Sequence, residues 1–170
     1  MQELTLVIPT IEHKEDAWAF RQEFIDNGEP KIYGSGGLIK AADYESWLTK
    51  VINQQTTAEP GKVTSTTYFA VADGRIVGTV QVRHELNEFL LRAGGNIGYS
   101  VRPSERRKGY AARMLALALQ KCKELGMKKA LVTCRKDNIA SARTIQKCGG
   151  VLENEVVVDN KIIQRYWIKI

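Results

Sequence analysis

The run Arg106-Arg107-Lys108-Gly109-Tyr110-Ala111 carries the strongest chemical signal in the chain. It follows a β-like stretch that ends at Val101 and Pro103, and it precedes a long stretch of helical apolar spacing. This order predicts a strand, a turn and a helix opening near Arg106. The first N–H groups of a helix lack intrahelical acceptors and point outward. The helix dipole adds positive potential at the same place. Gly109 lets a ligand approach the backbone, Ala111 keeps the first turn open, and Arg106, Arg107 and Lys108 add charge. Together these features describe a site for a pyrophosphate.

Two other nucleotide motifs are excluded. No G-x-x-x-x-G-K-[ST] run occurs, and Gly34-Ser35-Gly36-Gly37 lacks the G-x-G-x-x-G spacing and follows a helix. The net charge of +6 is focused rather than spread: Arg102, Arg106, Arg107 and Lys108 stand together against Glu105. One such patch suits a small polyanion better than a nucleic-acid track, and no recognition helix or stacking motif accompanies it. Cys122, Cys134 and Cys148 are widely spaced, and only His13 and His84 join them, so no metal-ligand spacing appears. Free thiols, the absence of a membrane-length apolar run and an N-terminus without a signal pattern read as a cytoplasmic protein outside the membrane.

The elements that must hold the basic run follow from periodicity. Leu4 to Ile8 reads as a strand. Lys14 to Asp26 reads as a helix with Ala17, Phe20 and Phe24 inward. Asp43 caps a second helix whose face is Tyr44, Trp47, Leu48, Val51 and Ile52. Asp73-Gly74 and Asp159-Asn160 each separate two β-branched runs, which predicts hairpins. Asn96 to Val101 is a strand. The helix from Arg106 to Leu125 carries a stripe of Ala111, Leu115, Ala118, Cys122 and Leu125. Ala130 to Cys134 is a buried strand, and Asn138 caps a last helix. The 170 residues suit one domain over residues 1–170. Its fold class is α/β (α+β): a mixed, mostly antiparallel sheet of about seven strands with helices on both faces.

The strand Asn96-Ile97-Gly98-Tyr99-Ser100-Val101, with Arg106-x-x-Gly109-x-Ala111 after it, resembles the acetyl-CoA signature of the GCN5-related N-acetyltransferase (GNAT) family. The likeness in element order spans nearly the whole chain. Arg83-His84 to Glu88 and Gly149 to Glu155 also resemble a bacterial subgroup of acetyltransferases. The resemblance implies acetyl-CoA as co-substrate and a primary amine, on a small molecule or peptide, as acceptor. The strand ending at Val101 would splay from the one ending at Cys134. The Tyr99 N–H would face the thioester carbonyl, with Ser100 and Val101 along the pantetheine. Arg106 to Ala111 (Arg106, Arg107, Lys108, Gly109, Tyr110 and Ala111) would hold the pyrophosphate. Asn138 would reach the pantetheine arm, with Ser141 one turn on.

The chain departs from the family pattern at two places. The usual acid, a Tyr, is replaced by Ile145, and a Glu used as base by some members is replaced by Gly95. Cys134 or water is a substitute acid. His84 is the foremost base candidate, because its ordinary pKa suits neutral pH. Glu85, Glu88 and Glu29 are further candidates. Tyr33, beside Gly34 to Gly37, is expected at the acceptor pocket with that run as a mobile lid, whereas Tyr44 and Trp47 are expected in the core. A non-catalytic acetyl-CoA sensor remains the alternative function, and a homodimer is left open.

Overall fold

The computed structural model describes residues 2–170. Its strands are β1 (Leu4–Val7), β2 (Ser65–Ala72), β3 (Arg75–Arg83), β4 (Ile97–Val101), β5 (Lys129–Arg135), β6 (Val151–Val158) and β7 (Lys161–Lys169). Its helices are α1 (Lys14–Asp26), α2 (Tyr44–Asn53), α3 (Tyr110–Glu124) and α4 (Ile139–Lys147). This is the order that the periodicity predicts. Both hairpin turns place two residues at positive φ, Asp73 and Gly74 in one and Asp159 and Asn160 in the other. Such turns match the right-handed twist of the strands they join.

The seven strands divide into two antiparallel sheets, ordered β1-β2-β3-β4 and β5-β7-β6. The strand–helix–strand unit of β4, α3 and β5 therefore forms no continuous ladder across its two strands. Asn96 joins the sheets at one point. Its N–H donates to the Leu131 carbonyl at 2.7 Å, and its Oδ1 accepts the Leu131 N–H at 2.9 Å. Its own carbonyl accepts the Arg83 N–H at 2.7 Å, and its Nδ2 donates to the Arg83 carbonyl at 3.3 Å. A 4 % exposed asparagine thus has every polar group engaged, which is what burial demands. Beyond it the two strands part.

Two apolar layers enclose the first sheet. Val80, Val82, Ala70 and Ile97 pack against Tyr110, Met114, Leu115, Ala118 and Cys122 of α3, and this layer continues to Ile145 and Tyr166. On the other face Phe69 and Ile76 meet Ala17, Phe20 and Phe24 of α1 and Tyr44, Trp47 and Val51 of α2. The inward stripe of α3 is corrected at both ends. Tyr110 and Met114 are buried, whereas Leu125 is exposed. The helix begins at Tyr110 rather than Arg106, because Arg107 (φ 64°) and Gly109 (φ 82°) both take left-handed conformations that no helix can include.

Candidate active site

The unpaired edge of β4 is set by ladder arithmetic. Arg83 N–H donates to Asn96 O, and Arg102 N–H donates to Val77 O, both at 2.7 Å. With the register Gln81↔Gly98 and Thr79↔Ser100, the residues of β4 that bond to β3 are therefore 98 and 100. Antiparallel pairing alternates, so Ile97, Tyr99 and Val101 turn their N–H and C=O groups the other way, toward the gap before β5. The expected Tyr99 donor thus faces the cleft. Val101 N–H also points there, while its carbonyl accepts Arg106 Nε at 3.2 Å.

The cleft runs to the start of α3. Gly109 is its N-cap residue, and no side chain caps it, so its first N–H groups remain open to a ligand. A Cβ at Gly109 would meet nothing within 4 Å. The glycine is required there by its φ, not by crowding. The basic side chains divide the work unequally. Arg106 bonds Glu29 at 2.9 Å and stacks over Phe24. Lys108 bonds Glu105 at 2.8 Å. Arg107, by contrast, is exposed and has no ion-pair partner among the described residues. Its charge stands beside the open N–H groups, whereas Arg106 fastens the loop to β4 and α1.

Beneath the loop lies an ion network that sequence reasoning missed. Arg102, 4 % exposed, bonds Asp16 at 3.0 Å, Glu23, and the Ile76 carbonyl at 3.0 Å. Glu23 also accepts the Ser104 N–H at 3.0 Å. Glu105, 8 % exposed, receives Arg75 and Lys108. Burial tends to raise the Glu23 pKa, but its bonds to Arg102 and Ser104 outweigh that and hold it low. These contacts tie the loop after β4 to α1.

Across the cleft, Asn138 caps α4, its Oδ1 accepting the Ser141 N–H at 3.1 Å. Ser141 Oγ lies 2.9 Å from the Tyr99 hydroxyl. Burial pushes that phenol up to about 12. Ile145 is fully buried in the core and offers no proton. Burial also pushes the Cys134 thiol up, so it holds its proton and is a poor donor to a departing thiolate. Gly95 explains the missing family carboxylate, since any Cβ there would sit 2.6 Å from the Leu131 carbonyl.

The base candidates lie apart from this edge. His84 shares the α3 face of β3 with Val80 and Val82. Both its ring nitrogens are bonded at 2.8 Å, Nε2 to the Thr66 hydroxyl and Nδ1 to that of Thr64. Burial lowers its pKa. It lies about 13 Å along the strand from Tyr99, by strand rise. Glu29 is held low: burial raises it, but Arg106 and Asn27 prevail. Glu85 and Glu88 are exposed and lie outside the cavity described next.

That cavity, of about 590 Å³, occupies the α2 side of the first sheet. Gly34 to Gly37 form one wall, Gln81 and Arg83 another, and Lys50 and Gln54 of α2 a third. The Tyr33 side chain is 59 % exposed and stays outside it. The Tyr33 carbonyl is the useful part, accepting the hydroxyls of Ser100 at 2.8 Å and Thr79 at 3.2 Å. Ser100 thus braces this loop with its side chain. Trp47 Nε1 holds the Ser35 carbonyl at 2.8 Å. The run is therefore fastened to the sheet, not free to act as a lid. Tyr44 and Trp47 are core residues, as expected. Gly34 (φ 70°) lies flat on the Gly98–Tyr99 peptide; a Cβ would fall 2.2 Å from Gly98 O and 2.8 Å from Tyr99 N. Gly34→Ala should therefore shift the loop off β4. We expect turnover to fall at least ~10-fold while acetyl-CoA affinity changes less than threefold, as read by kinetics beside calorimetry.

A cleft between two splayed strands, closed by an uncapped helix start, defines an acyl-CoA-dependent N-acyltransferase fold. A family model described as acetyltransferase (GNAT) domain matches residues 3–151, and the chain belongs to that GNAT acetyltransferase family. Its members are acetyl-CoA-dependent N-acetyltransferases, and this chain is one. No curated protein sequence matches it. Solved structures share the fold. The microcin C7 self-immunity acetyltransferase MccE, in complex with acetyl-CoA and AMP, superposes with a TM-score of 0.70 at 16 % identity, covering 99 % of this chain and 93 % of that one. Mycobacterium smegmatis RimJ, in complex with CoA-disulfide, gives 0.71 at 20 % identity, covering 98 % and 81 %. RimL, a ribosomal L7/L12 α-N-protein acetyltransferase in complex with coenzyme A, gives 0.68 at 17 % identity, covering 98 % and 94 %.

Proposed function

We propose that the chain moves the acetyl group of acetyl-CoA onto a primary amine by direct attack, with no acyl-enzyme. One observation carries the reading: the cleft-facing edge of β4 is followed, after the turn at Pro103–Glu105, by the uncapped start of α3. Arg107, Gly109, Tyr110 and Ala111 would bind the pyrophosphate, with Arg106 and Lys108 shaping the loop. Tyr99 and Val101 would line the pantetheine, and Asn138, its Oδ1 engaged in the cap, would donate through Nδ2 to the pantetheine arm. Ser100 acts through the Tyr33 loop.

The co-substrate supplies an activated thioester. The neutral amine nitrogen attacks its carbonyl carbon, and the C–N bond forms as the C–S bond breaks. Tyr99 N–H stabilises the negative charge that develops on the carbonyl oxygen. The leaving thiolate takes its proton from water, since a thiol is a fair leaving group near neutral pH. The nitrogen gives its surplus proton to water. Holding amine and thioester together supplies much of the acceleration.

No lining residue of the cavity is poised as a base. Glu59 is exposed and held low by its hydrogen bond to Lys62. The amine must therefore arrive neutral. We expect log kcat/KM to rise with slope one up to the pKa of the acceptor amine and then level. A His84→Gln variant should keep that profile. An inflection near the ordinary histidine pKa of about 6.5 that vanishes in this variant would restore His84 as base. The three free cysteines fit the reducing cytoplasm, and we read the whole chain as one catalytic domain.

Thiol release from acetyl-CoA across a panel of amines tests the reading. Amine-dependent release supports direct transfer to an amine, and tight binding with no release for any amine contradicts it.

A further inference from the structure

The cavity wall is unbalanced in charge. Lys50, Lys62 and Arg83 line it against a single carboxylate, Glu59. Lys62 already pairs with Glu59 at 2.9 Å. That leaves Arg83 and Lys50 without an ion-pair contact among the described residues, although Glu59 still feels the Lys50 charge. Lys50 Nζ lies at the Gly37 wall, 3.2 Å from where a Cβ on that glycine would be.

Arg83 is the more telling of the two. Its Nε donates to Gln81 Oε1 at 3.1 Å, and one terminal nitrogen, Nη1, donates to the carbonyls of Gly94 and Gly95 at 3.0 and 3.3 Å. These bonds lock the guanidinium plane. They leave the other terminal nitrogen, Nη2, without a partner among the described residues. That nitrogen lies 3.1 Å from the position of a Cβ on Gly98, so it sits one residue from Tyr99. Burial draws the Arg83 pKa below its ordinary value, as happens to a cation that has lost water without gaining a counter-charge. An arginine held rigidly by neutral acceptors, with its free edge turned into a cavity, is built to receive an oxyanion.

The cavity therefore asks for an anion near Gly98.

Resting on the transferase reading above, we infer that the acceptor is an anionic amine. Its acid group, a carboxylate or phosphate within a few bonds of the amine, binds Arg83 and Lys50. Positive charge at this place also disfavours an ammonium ion, so it lowers the pKa of the bound amine. That bias selects the amine that arrives neutral over its ammonium form. An α-amine, with an ordinary pKa near 8, is suited to this site. A polyamine, cationic along its length, is repelled.

The test has a binding arm and a turnover arm. N-acetylglycine, inorganic phosphate and spermidine are each titrated into the CoA complex by calorimetry. Glycine and other α-amino acids, O-phosphoethanolamine and spermidine are compared as acceptors at equal concentration. We expect N-acetylglycine or phosphate to bind and spermidine not to. The arm that works, carboxylate or phosphate, identifies the acid group. Arg83→Gln should raise KM for anionic amines at least ~10-fold. Lys50→Gln should raise it about threefold. Both should keep acetyl-CoA affinity within about twofold. Lys50 is exposed on α2, so its variant reports even if Arg83→Gln fails to fold. Spermidine binding or turnover that equals or exceeds that of the anionic compounds overturns the inference. So does the failure of both anions to bind a complex that retains CoA, or unchanged anion affinity and KM in Lys50→Gln. Loss of acetyl-CoA binding by the wild type would instead strike the transferase reading itself.

Discussion

Replacing Arg102 with methionine is expected to cost about 3 kcal/mol of folding stability, the scale for removing one partner of a buried ion pair. The side chain is 5 % exposed, and its loss leaves Asp16 and Glu23 facing one another with no buried cation between them. For a chain of this length that is a fall of roughly 6–12 °C in melting midpoint. The pH profile should change as well. The Glu23 pKa is depressed in the folded protein from its ordinary 4.5. Its contribution is therefore fully present above pH 4.5 and is lost as pH falls through the lower folded value. Thermal melts between pH 3 and 7 should show a shallower acid limb in Arg102→Met than in the wild type. Equal midpoints for the two proteins at pH 7 would mean that the network does not hold the loop.

Placing a carboxylate at the start of α3 should have the opposite signature, a loss of binding without a loss of fold. Ala111→Asp adds negative charge where the pyrophosphate would lie. Acidic residues stabilise a helix N-terminus, so the melting midpoint should hold or rise slightly. Acetyl-CoA affinity should fall on the order of 100-fold, since each tenfold is ~1.4 kcal/mol and two like charges in contact exceed that. Ala111→Ser serves as the control and should bind as the wild type does. Arg107→Glu should weaken binding by about tenfold, because that side chain is exposed and screened. Equal affinities for Ala111→Asp and Ala111→Ser would remove the anion site from this loop.

Much of the fold is legible in the chain because its signals are local. Asp73-Gly74 and Asp159-Asn160 announce their hairpins through turn chemistry. Asp43 and Asn138 announce their helices, and each accepts the N–H expected of a cap. The start of α3 was misread because nothing in an arginine signals a left-handed φ; the turn at Arg107 and Gly109 is imposed by what lies beneath it. Asn96, a polar residue opening an apolar strand, is the one sign of the place where the two sheets still touch before they part. Long-range partnerships leave no such trace. Arg102 meets Asp16 across 86 positions, and Arg106 meets Glu29 across 77. A basic cluster therefore read as three ligand-binding charges, when two of them are paired with acids.

The acceptor side was harder still. His84 has the right chemistry at its strand position, but side chains alternate, and that parity turns it toward α3 and away from the cavity. The same alternation turns Arg83 and Gln81 inward. Gly34 to Gly37 looked mobile by composition, yet Gly34 is a glycine because a strand peptide presses on it. Mobility and close packing call for the same residue.

Calorimetric titration of the wild-type protein with acetyl-CoA tests the central claim most directly. The account predicts saturable binding at one site per chain, weakened by added salt and by Ala111→Asp but not by Ala111→Ser. No saturable binding, or binding indifferent to the charge at residue 111, would contradict it.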